Sequence, residues 1–178
     1  MTSSPQLPET VLSYLGQAAS PAEALRLAIR AAECARGSST PNPPVGAVIL
    51  DAEGHVRGIG CTQPPGGPHA EIEALRMAGK AARRGTAVVT LEPCNSWGRT
   101  GPCSHALAEA GIAALHYAFP DTTSFGGGAH YLEARGVTCT QFDGTQRAEV
   151  RQGGLGAWLH KQETGRPRVT VKMAAVSY

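Results

Sequence analysis

The feature that most constrains the fold of this chain is a β-hairpin followed by alternating helices and strands. Two β-like runs, at 45–51 and 55–61, are joined by the turn Ala52-Glu53-Gly54, which predicts an antiparallel hairpin. Helical and strand-like segments then alternate, at 70–82, 86–92, 104–111, 113–119, 129–136 and 137–143. This alternation predicts a largely parallel sheet with helices on its faces, because each helix carries the chain back to the same edge.

A well-capped helix is predicted before the hairpin, over residues 20–36. Ser20 is a suitable N-cap, a proline follows at the first helical position, and Glu23 completes a capping box. The stretch 1–19 ahead of this helix contains serines and prolines and is predicted to be a mobile tail. We therefore expect one domain, over 20–143.

The last part of the chain, 144–178, is predicted to be a linker. It contains one weak helical pattern, at 157–162, and one strand-like run, at 167–176. An unpaired strand edge invites pairing with another chain. We therefore expect a homo-oligomer that covers this strand.

Charge and composition exclude several classes of protein. The net charge of +2 is too small to predict a nucleic-acid-binding surface, so no nucleic-acid partner is expected. The chain has no run of 18 apolar residues and no pattern of a signal peptide, so we expect no membrane partner and a cytoplasmic location. Its five cysteines form an odd set in a reducing compartment, so disulfides are not expected and a metal-binding role is open.

Two short segments hold residues that suit a zinc site. The segment GGPHAEIEAL places His69 and Glu71 at the predicted start of a helix, and the segment LEPCNSWGRTGPC contains Cys94 and Cys103. One histidine and two cysteines supply three ligands for zinc. Three protein ligands leave the fourth position to water, as in catalytic rather than structural zinc sites.

The expected chemistry follows from these residue types. Water on such a zinc ion ionises near pH ~7, and Glu71 would accept that proton and return it to the substrate. Cys103 directly precedes a predicted helix, whose positive end lowers the pKa of a thiol, so Cys103 is expected to bind the metal as a thiolate. Because residues two apart diverge in a helix interior, His69 is expected to lie just outside its helix.

His-Ala-Glu followed downstream by Pro-Cys is the signature of zinc-dependent nucleobase deaminases. Four segments, TPNPPVGAVI, GGPHAEIEAL, TLEPCNSWGRTGPC and AGI, together resemble the deaminase domain of the bifunctional riboflavin-biosynthesis deaminase/reductase, over about 21–142. The resemblance implies an α/β fold, a three-layer α/β/α sandwich with a cytidine-deaminase-like mixed sheet, and Zn²⁺ as the cofactor. It also implies hydrolytic deamination of 2,5-diamino-6-ribosylamino-4(3H)-pyrimidinone 5′-phosphate, a pyrimidine nucleotide, to 5-amino-6-(5-phosphoribosylamino)uracil.

The same resemblance implies which residues contact the substrate. Asn42 would hydrogen-bond the substrate, and Arg99 would meet its phosphate, which the planar guanidinium suits. Three substrate-contacting regions depart from the family pattern. Thr62 and Ser96 each stand where the family has a histidine, and only Asp121 remains of the family's Asp-Pro-Asn-Pro. The reaction class is therefore better determined than the substrate.

Residues 155–174 resemble the linker and first strand that open the family's reductase domain. The Ser-x-Asp-Gly that the family usually shows next is replaced by Ala-Val-Ser-Tyr. We therefore expect a complete reductase to be missing, which makes a separate reductase a candidate partner.

Other interpretations stay open at this point. A related deaminase retuned to another aminopyrimidine or pterin would explain the departures, and a catalytically silent zinc module would explain the unpaired strand. A nucleic-acid editor is disfavoured by the low charge and by the missing C-x-x-C. A closed structural zinc site would need a fourth ligand such as Cys61, although the expected role of that cysteine is a buried hairpin thiol.

Overall fold

The computed structural model describes residues 4–98 and 101–167, and its centre is a five-stranded sheet. The strands are β1 (Gly46–Leu50), β2 (Val56–Cys61), β3 (Thr86–Leu91), β4 (Ala114–Phe119) and β5 (Thr138–Gln141). They lie in the order β2-β1-β3-β4-β5. Strand β1 pairs antiparallel with β2 and β3, whereas β3, β4 and β5 are parallel. The predicted hairpin is confirmed, and the sheet is mixed, because only its β3–β5 half is parallel.

Seven α-helices are formed by the described residues: α1 (Glu9–Leu12), α2 (Pro21–Glu33), α3 (Ala70–Ala78), α4 (Cys103–Glu109), α5 (Gly128–Glu133), α6 (Gly144–Gln152) and α7 (Gly156–Thr164). The predicted capping box of α2 is confirmed, since Ser20 Oγ accepts a hydrogen bond from the backbone of Glu23 and the Glu23 carboxylate accepts one from the backbone of Ser20. Of these helices, none has the length and apolar character that crossing a bilayer requires.

Helices cover both faces of the sheet. A Cβ atom on Gly46 would lie 1.8 Å from the carbonyl oxygen of Ala28 in α2, and one on Gly60 would lie 2.1 Å from that of Ala70 in α3. Gly46 pairs with Cys61, the neighbour of Gly60, so the two glycines face opposite sides of the sheet. Helix α6 packs beside α2, and α4 and α5 follow α3. The expected three-layer α/β/α sandwich is confirmed.

The topology brings four loops to one edge of the sheet. Leu91 and Phe119 are paired at the carboxyl ends of the parallel strands β3 and β4, so the loops that follow them start side by side. Because β1 runs antiparallel to β3, the residues before Gly46 and those after Cys61 lie at the same edge. This edge is where the sequence-predicted site residues meet.

The mobile tail expected at 1–19 does not hold for residues 9–19. Val11 in α1 is buried. Three backbone hydrogen bonds attach this segment to the hairpin, from Gly16 N to Val56 O at 2.8 Å, from Val56 N to Gln17 O at 2.9 Å and from Ala19 N to Gly54 O at 3.0 Å. The edge strand β2 and its turn satisfy backbone N–H and C=O groups by such pairing. The amino-acid composition of residues 1–19 gives no sign of these hydrogen bonds.

The linker expected from residue 144 does not hold for 144–164. This segment forms α6 and α7, and it buries Val150, Leu155 and Leu159 against the core. The predicted weak helix at 157–162 is part of α7. Residues 168–176 of the predicted strand 167–176 lie outside the described residues.

Candidate active site

Three side chains from three elements converge at this edge. His69 is the N-cap of α3 and has an extended backbone, Cys94 lies in the loop after β3, and Cys103 is the first residue of α4. The Nδ1 atom of His69 lies 3.6 Å from Cys94 Sγ and 3.3 Å from Cys103 Sγ. His69 therefore lies just outside its helix, as predicted, and the three ligand atoms are all within 4.8 Å of one another.

The spacing of these atoms fits zinc. Nitrogen and sulfur ligands at ~2.0 and ~2.3 Å from a tetrahedral zinc ion stand roughly 3.5 Å apart, close to both distances from His69 Nδ1. Among the described residues, the side chains grouped closely enough to hold a metal ion are His69, Cys94 and Cys103, and Cys61 is not one of them. Cys61 is buried at the end of the hairpin, and its Sγ accepts a hydrogen bond from Gln63. The expected buried hairpin thiol is confirmed, and the group could hold zinc with one position left open.

The lowered thiol pKa falls on Cys94, whereas the sequence analysis expected it on Cys103. The hydrogen bonds that Cys94 receives from Cys103 and His69 lower its pKa, and they outweigh burial, which raises it. The hydrogen bond between the two thiols, burial and the neighbouring Glu71 raise the pKa of Cys103. The pKa of Cys103 thus moves in the direction opposite to the lowering expected from its place at the start of α4, because the effects of Cys94 and of burial outweigh that of the helix end. The first backbone N–H of α4 points instead at Cys94 Sγ, 3.3 Å away.

Glu71 is a buried carboxyl group beside these ligands, with 4% of the residue exposed. Burial raises the pKa of Glu71 to about 7, and the negative charge of Cys94 acts in the same direction while His69 opposes it. A carboxyl group with a pKa near neutrality can accept and release a proton within one reaction cycle. The environment of Glu71 is therefore suited to the proton-shuttle role predicted for it.

A cavity of about 410 Å³ opens beside His69 and Glu71. Four of the five residues predicted to bind substrate line it, namely Asn42, Thr62, Ser96 and Asp121. The fifth, Arg99, lies outside the described residues. Glu71, His69 and Cys94 also line the cavity, and Cys103 does not line it but lies against His69. The cavity has a size typical for small-molecule sites.

The Thr62 hydroxyl forms hydrogen bonds with the backbone of the protein itself. Its Oγ1 donates a hydrogen bond to Pro43 O at 3.0 Å and accepts one from Val45 N at 2.9 Å. Only 3% of the residue is exposed. Thr62 therefore supports the loop that presents Asn42, in addition to lining the cavity.

Ser96 and Asp121 both form hydrogen bonds with residues of the loop after β4. Ser96 Oγ donates a hydrogen bond to Ser124 O at 2.8 Å, and Asp121 Oδ1 accepts one from Thr123 N at 2.9 Å. The polar groups of both residues thus shape this wall of the cavity.

Glu92 is a cavity-lining residue to which the sequence analysis assigned no role. Its carboxylate accepts hydrogen bonds from Asp121 N and Ala129 N, both at 3.0 Å, and it is buried. It therefore holds both ends of the loop between β4 and α5. The sequence signal that could have identified Glu92 is an acidic residue between a buried strand and Pro93, because a buried carboxylate needs hydrogen-bond partners.

Trp158 and Gln162 of α7, together with Phe125, also line the cavity. No local pattern could have assigned them, because the segment around Trp158 lies far along the chain from His69 and reaches the site only through the packing of α7.

Comparison with known proteins agrees with this geometry. Residues 19–119 match the family model of the cytidine and deoxycytidylate deaminase zinc-binding region. The riboflavin biosynthesis protein RibD of Mycobacterium tuberculosis (strain CDC 1551 / Oshkosh) is 47% identical over 153 residues, which are 85% of this chain and 44% of that protein. The chain thus spans less than half the length of this curated relative.

Two solved structures have similar folds. RibD of Acinetobacter baumannii, form 2, is 36% identical, with a TM-score of 0.73 over 83% of this chain and 41% of the other. A diaminohydroxyphosphoribosylaminopyrimidine deaminase/5-amino-6-(5-phosphoribosylamino)uracil reductase of Thermotoga maritima is 30% identical, with a TM-score of 0.75 over 83% and 42% of the two chains. The family match covers more than half of the chain, including His69, Cys94 and Cys103. The chain belongs to the zinc-binding cytidine and deoxycytidylate deaminase family.

Proposed function

We propose that the protein is a zinc-dependent deaminase that converts 2,5-diamino-6-ribosylamino-4(3H)-pyrimidinone 5′-phosphate to 5-amino-6-(5-phosphoribosylamino)uracil in riboflavin biosynthesis. The observation that carries the proposal is the buried carboxyl group of Glu71 beside the His69, Cys94 and Cys103 group, in one cavity. The choice of substrate is supported by similarity to proteins named for riboflavin biosynthesis and for this deamination.

In this proposal the protein positions the substrate and moves protons. Zinc, when bound by the three ligands, lowers the pKa of a water molecule to about 7 and so supplies a nucleophile at neutral pH. Glu71 passes one proton of that water to the ring nitrogen beside the amine-bearing carbon. It passes the second proton to the amine, which leaves as ammonia while the ring gains a carbonyl group. The backbone at 91–93, of which Leu91 and Glu92 line the cavity, orients the amine, as the family resemblance implies.

The remaining roles are carried over from the family resemblance. Asn42 hydrogen-bonds the substrate, Thr62, Ser96 and Asp121 shape its pocket, and Arg99 binds its phosphate. The expected homo-oligomer, the separate reductase and the cytoplasmic location stay predictions.

A substrate panel tests the assignment. Zinc-loaded protein is given the diaminopyrimidine ribonucleotide, cytidine, deoxycytidylate and a pterin amine at equal concentrations, and kcat/KM is measured from ammonia release. We expect the riboflavin intermediate to be preferred by at least ~100-fold, because a site that pairs with substrate polar groups rejects analogues that lack them. Preference for another amine would establish the retuned deaminase instead, which the internally bonded Thr62 in the family's histidine position favours.

A further inference from the structure

Helix α7 forms one wall of the cavity that holds His69 and Glu71. We propose that Trp158 of this helix contacts the substrate and determines its specificity, with its indole face against the planar pyrimidine ring. This inference rests on the proposed function and adds to it a residue outside the region that the family model matches.

The helix is a fixed wall. Leu155 and Leu159 are buried in the core, with 1% and 5% exposed. Glu163 of α7 forms an ion pair with Arg151 of α6, in which Arg151 Nη1 lies 3.1 Å from Glu163 Oε2. A Cβ atom on Gly156 would lie 1.8 Å from the carbonyl oxygen of Arg151, so the turn between the helices is closely packed. Residues on the cavity side of α7 are therefore held in place before substrate arrives.

Trp158 and Gln162 lie on one face of α7. Residues four apart in a helix are neighbours on its surface, and both of these line the cavity. Trp158 is half-buried and packs against the core. The part of its ring that the core leaves uncovered is thus available to a ligand.

The chemistry of the wall suits a heteroaromatic ring with polar edges. Within the described residues, Phe125 and Trp158 are the aromatic side chains that line the cavity. Phe125 is 54% exposed, which leaves Trp158 as the aromatic residue held by packing. An indole offers a large rigid face to a planar ring, and the amide of Gln162 can both donate and accept hydrogen bonds at its edge. A nucleotide with a planar diaminopyrimidine ring matches this combination.

Fluorescence and kinetics test the proposal separately. Because the chain has two tryptophans, Trp97→Phe leaves Trp158 as the only one. The protein for this measurement is Trp97→Phe/Glu71→Gln, in which we expect turnover to be at least ~100-fold slower. We expect the diaminopyrimidine ribonucleotide to quench its Trp158 emission with a saturable curve. In the otherwise unmodified chain we expect Trp158→Ala to raise KM by at least ~10-fold while kcat changes less than about 3-fold. Trp158→Phe should restore much of the loss.

Lys161→Ala is the matched control, since Lys161 is exposed on the same helix and does not line the cavity. Circular dichroism and zinc content confirm that each variant is folded. Turnover by the wild type with no quenching and an unchanged KM in Trp158→Ala would overturn the role of Trp158 and leave the proposed function standing. Saturable quenching without wild-type turnover would uphold the contact with Trp158 and overturn the proposed function.

Discussion

The backbone N–H of Cys103 donates a hydrogen bond to the Sγ atom of Cys94 at 3.3 Å. This bond closes the loop between the two cysteines and points the first N–H of α4 at a sulfur atom that also approaches His69 Nδ1. The positive end of the helix thus favours a thiolate at Cys94. The protein holds its three metal-type ligands together through hydrogen bonds of its own.

Loss of Cys94 should therefore abolish tight zinc binding. We expect Cys94→Ala to lower zinc affinity by at least ~100-fold, because it removes both a ligand and the acceptor of the Cys103 N–H. The measurement is zinc per chain after dialysis against a chelator. Cys61→Ala is the control, and we expect it to keep its zinc. Zinc lost from that control to the same extent would revive Cys61 as a fourth ligand.

Glu92 should affect substrate binding through the loop that it holds. In Glu92→Gln one carboxylate oxygen becomes an NH₂ group, which cannot accept the N–H of Asp121 or of Ala129. We expect KM to rise several-fold and stability to fall by about 1–3 kcal/mol. Steady-state kinetics and urea unfolding provide the two values, with the exposed Glu109→Gln as the control. Glu92→Gln that matches this control in both would show that the loop does not depend on Glu92.

Asp51 should contribute a pH-dependent part of the stability. Burial raises the pKa of Asp51, but hydrogen bonds from the backbone of His55, the side chain of Arg57 and the backbone of Glu53 outweigh it and lower the pKa from 3.8 to about 2. Because the folded pKa lies below the unfolded one, the stabilisation is complete above about pH 4 and is lost as pH falls towards 2.

The test of this relationship is Asp51→Asn. We expect it to cost about 1–3 kcal/mol at pH 7, and we expect its difference from the wild type to shrink between about pH 4 and pH 2. Urea unfolding across that range measures both. A difference that stays constant with pH would show that the ionised carboxylate is not the stabilising form.

Gly46 should be intolerant of a side chain. An added Cβ would lie 1.8 Å from Ala28 O, whereas Gly144 has nothing within 4 Å of its Cβ position. We expect Gly46→Ala to lower the free energy of unfolding by about 1–3 kcal/mol, because α2 must move from the sheet. Gly144→Ala should be nearly neutral. Equal thermal stability of the two variants would contradict the close packing of α2 on β1.

Local patterns in the sequence predict much of this fold and site. The capping box at Ser20, the hairpin and the strand-helix alternation depend on neighbouring residues, so they can be inferred without long-range contacts. His69, Cys94 and Cys103 flank elements that a sheet brings to one edge, so the metal group could be inferred from the residues, and the family resemblance supplied the substrate-contacting candidates.

Long-range packing accounts for what the sequence analysis missed. Nothing near Cys103 indicates that its N–H serves Cys94, and nothing near Trp158 indicates that α7 returns to the cavity. Val11 belongs to a short segment of unremarkable composition, and only its packing in the core shows that residues 9–19 are ordered against the hairpin.

The central claim is that Glu71 moves protons for a deamination at the His69, Cys94 and Cys103 group. The most direct test is ammonia release from zinc-loaded wild type and Glu71→Gln, given the diaminopyrimidine ribonucleotide and matched in zinc content. We predict release by the wild type and a rate lower by at least ~100-fold in the variant, because an amide cannot accept the proton. Equal rates in the two proteins, or no release by the zinc-loaded wild type, would contradict the claim.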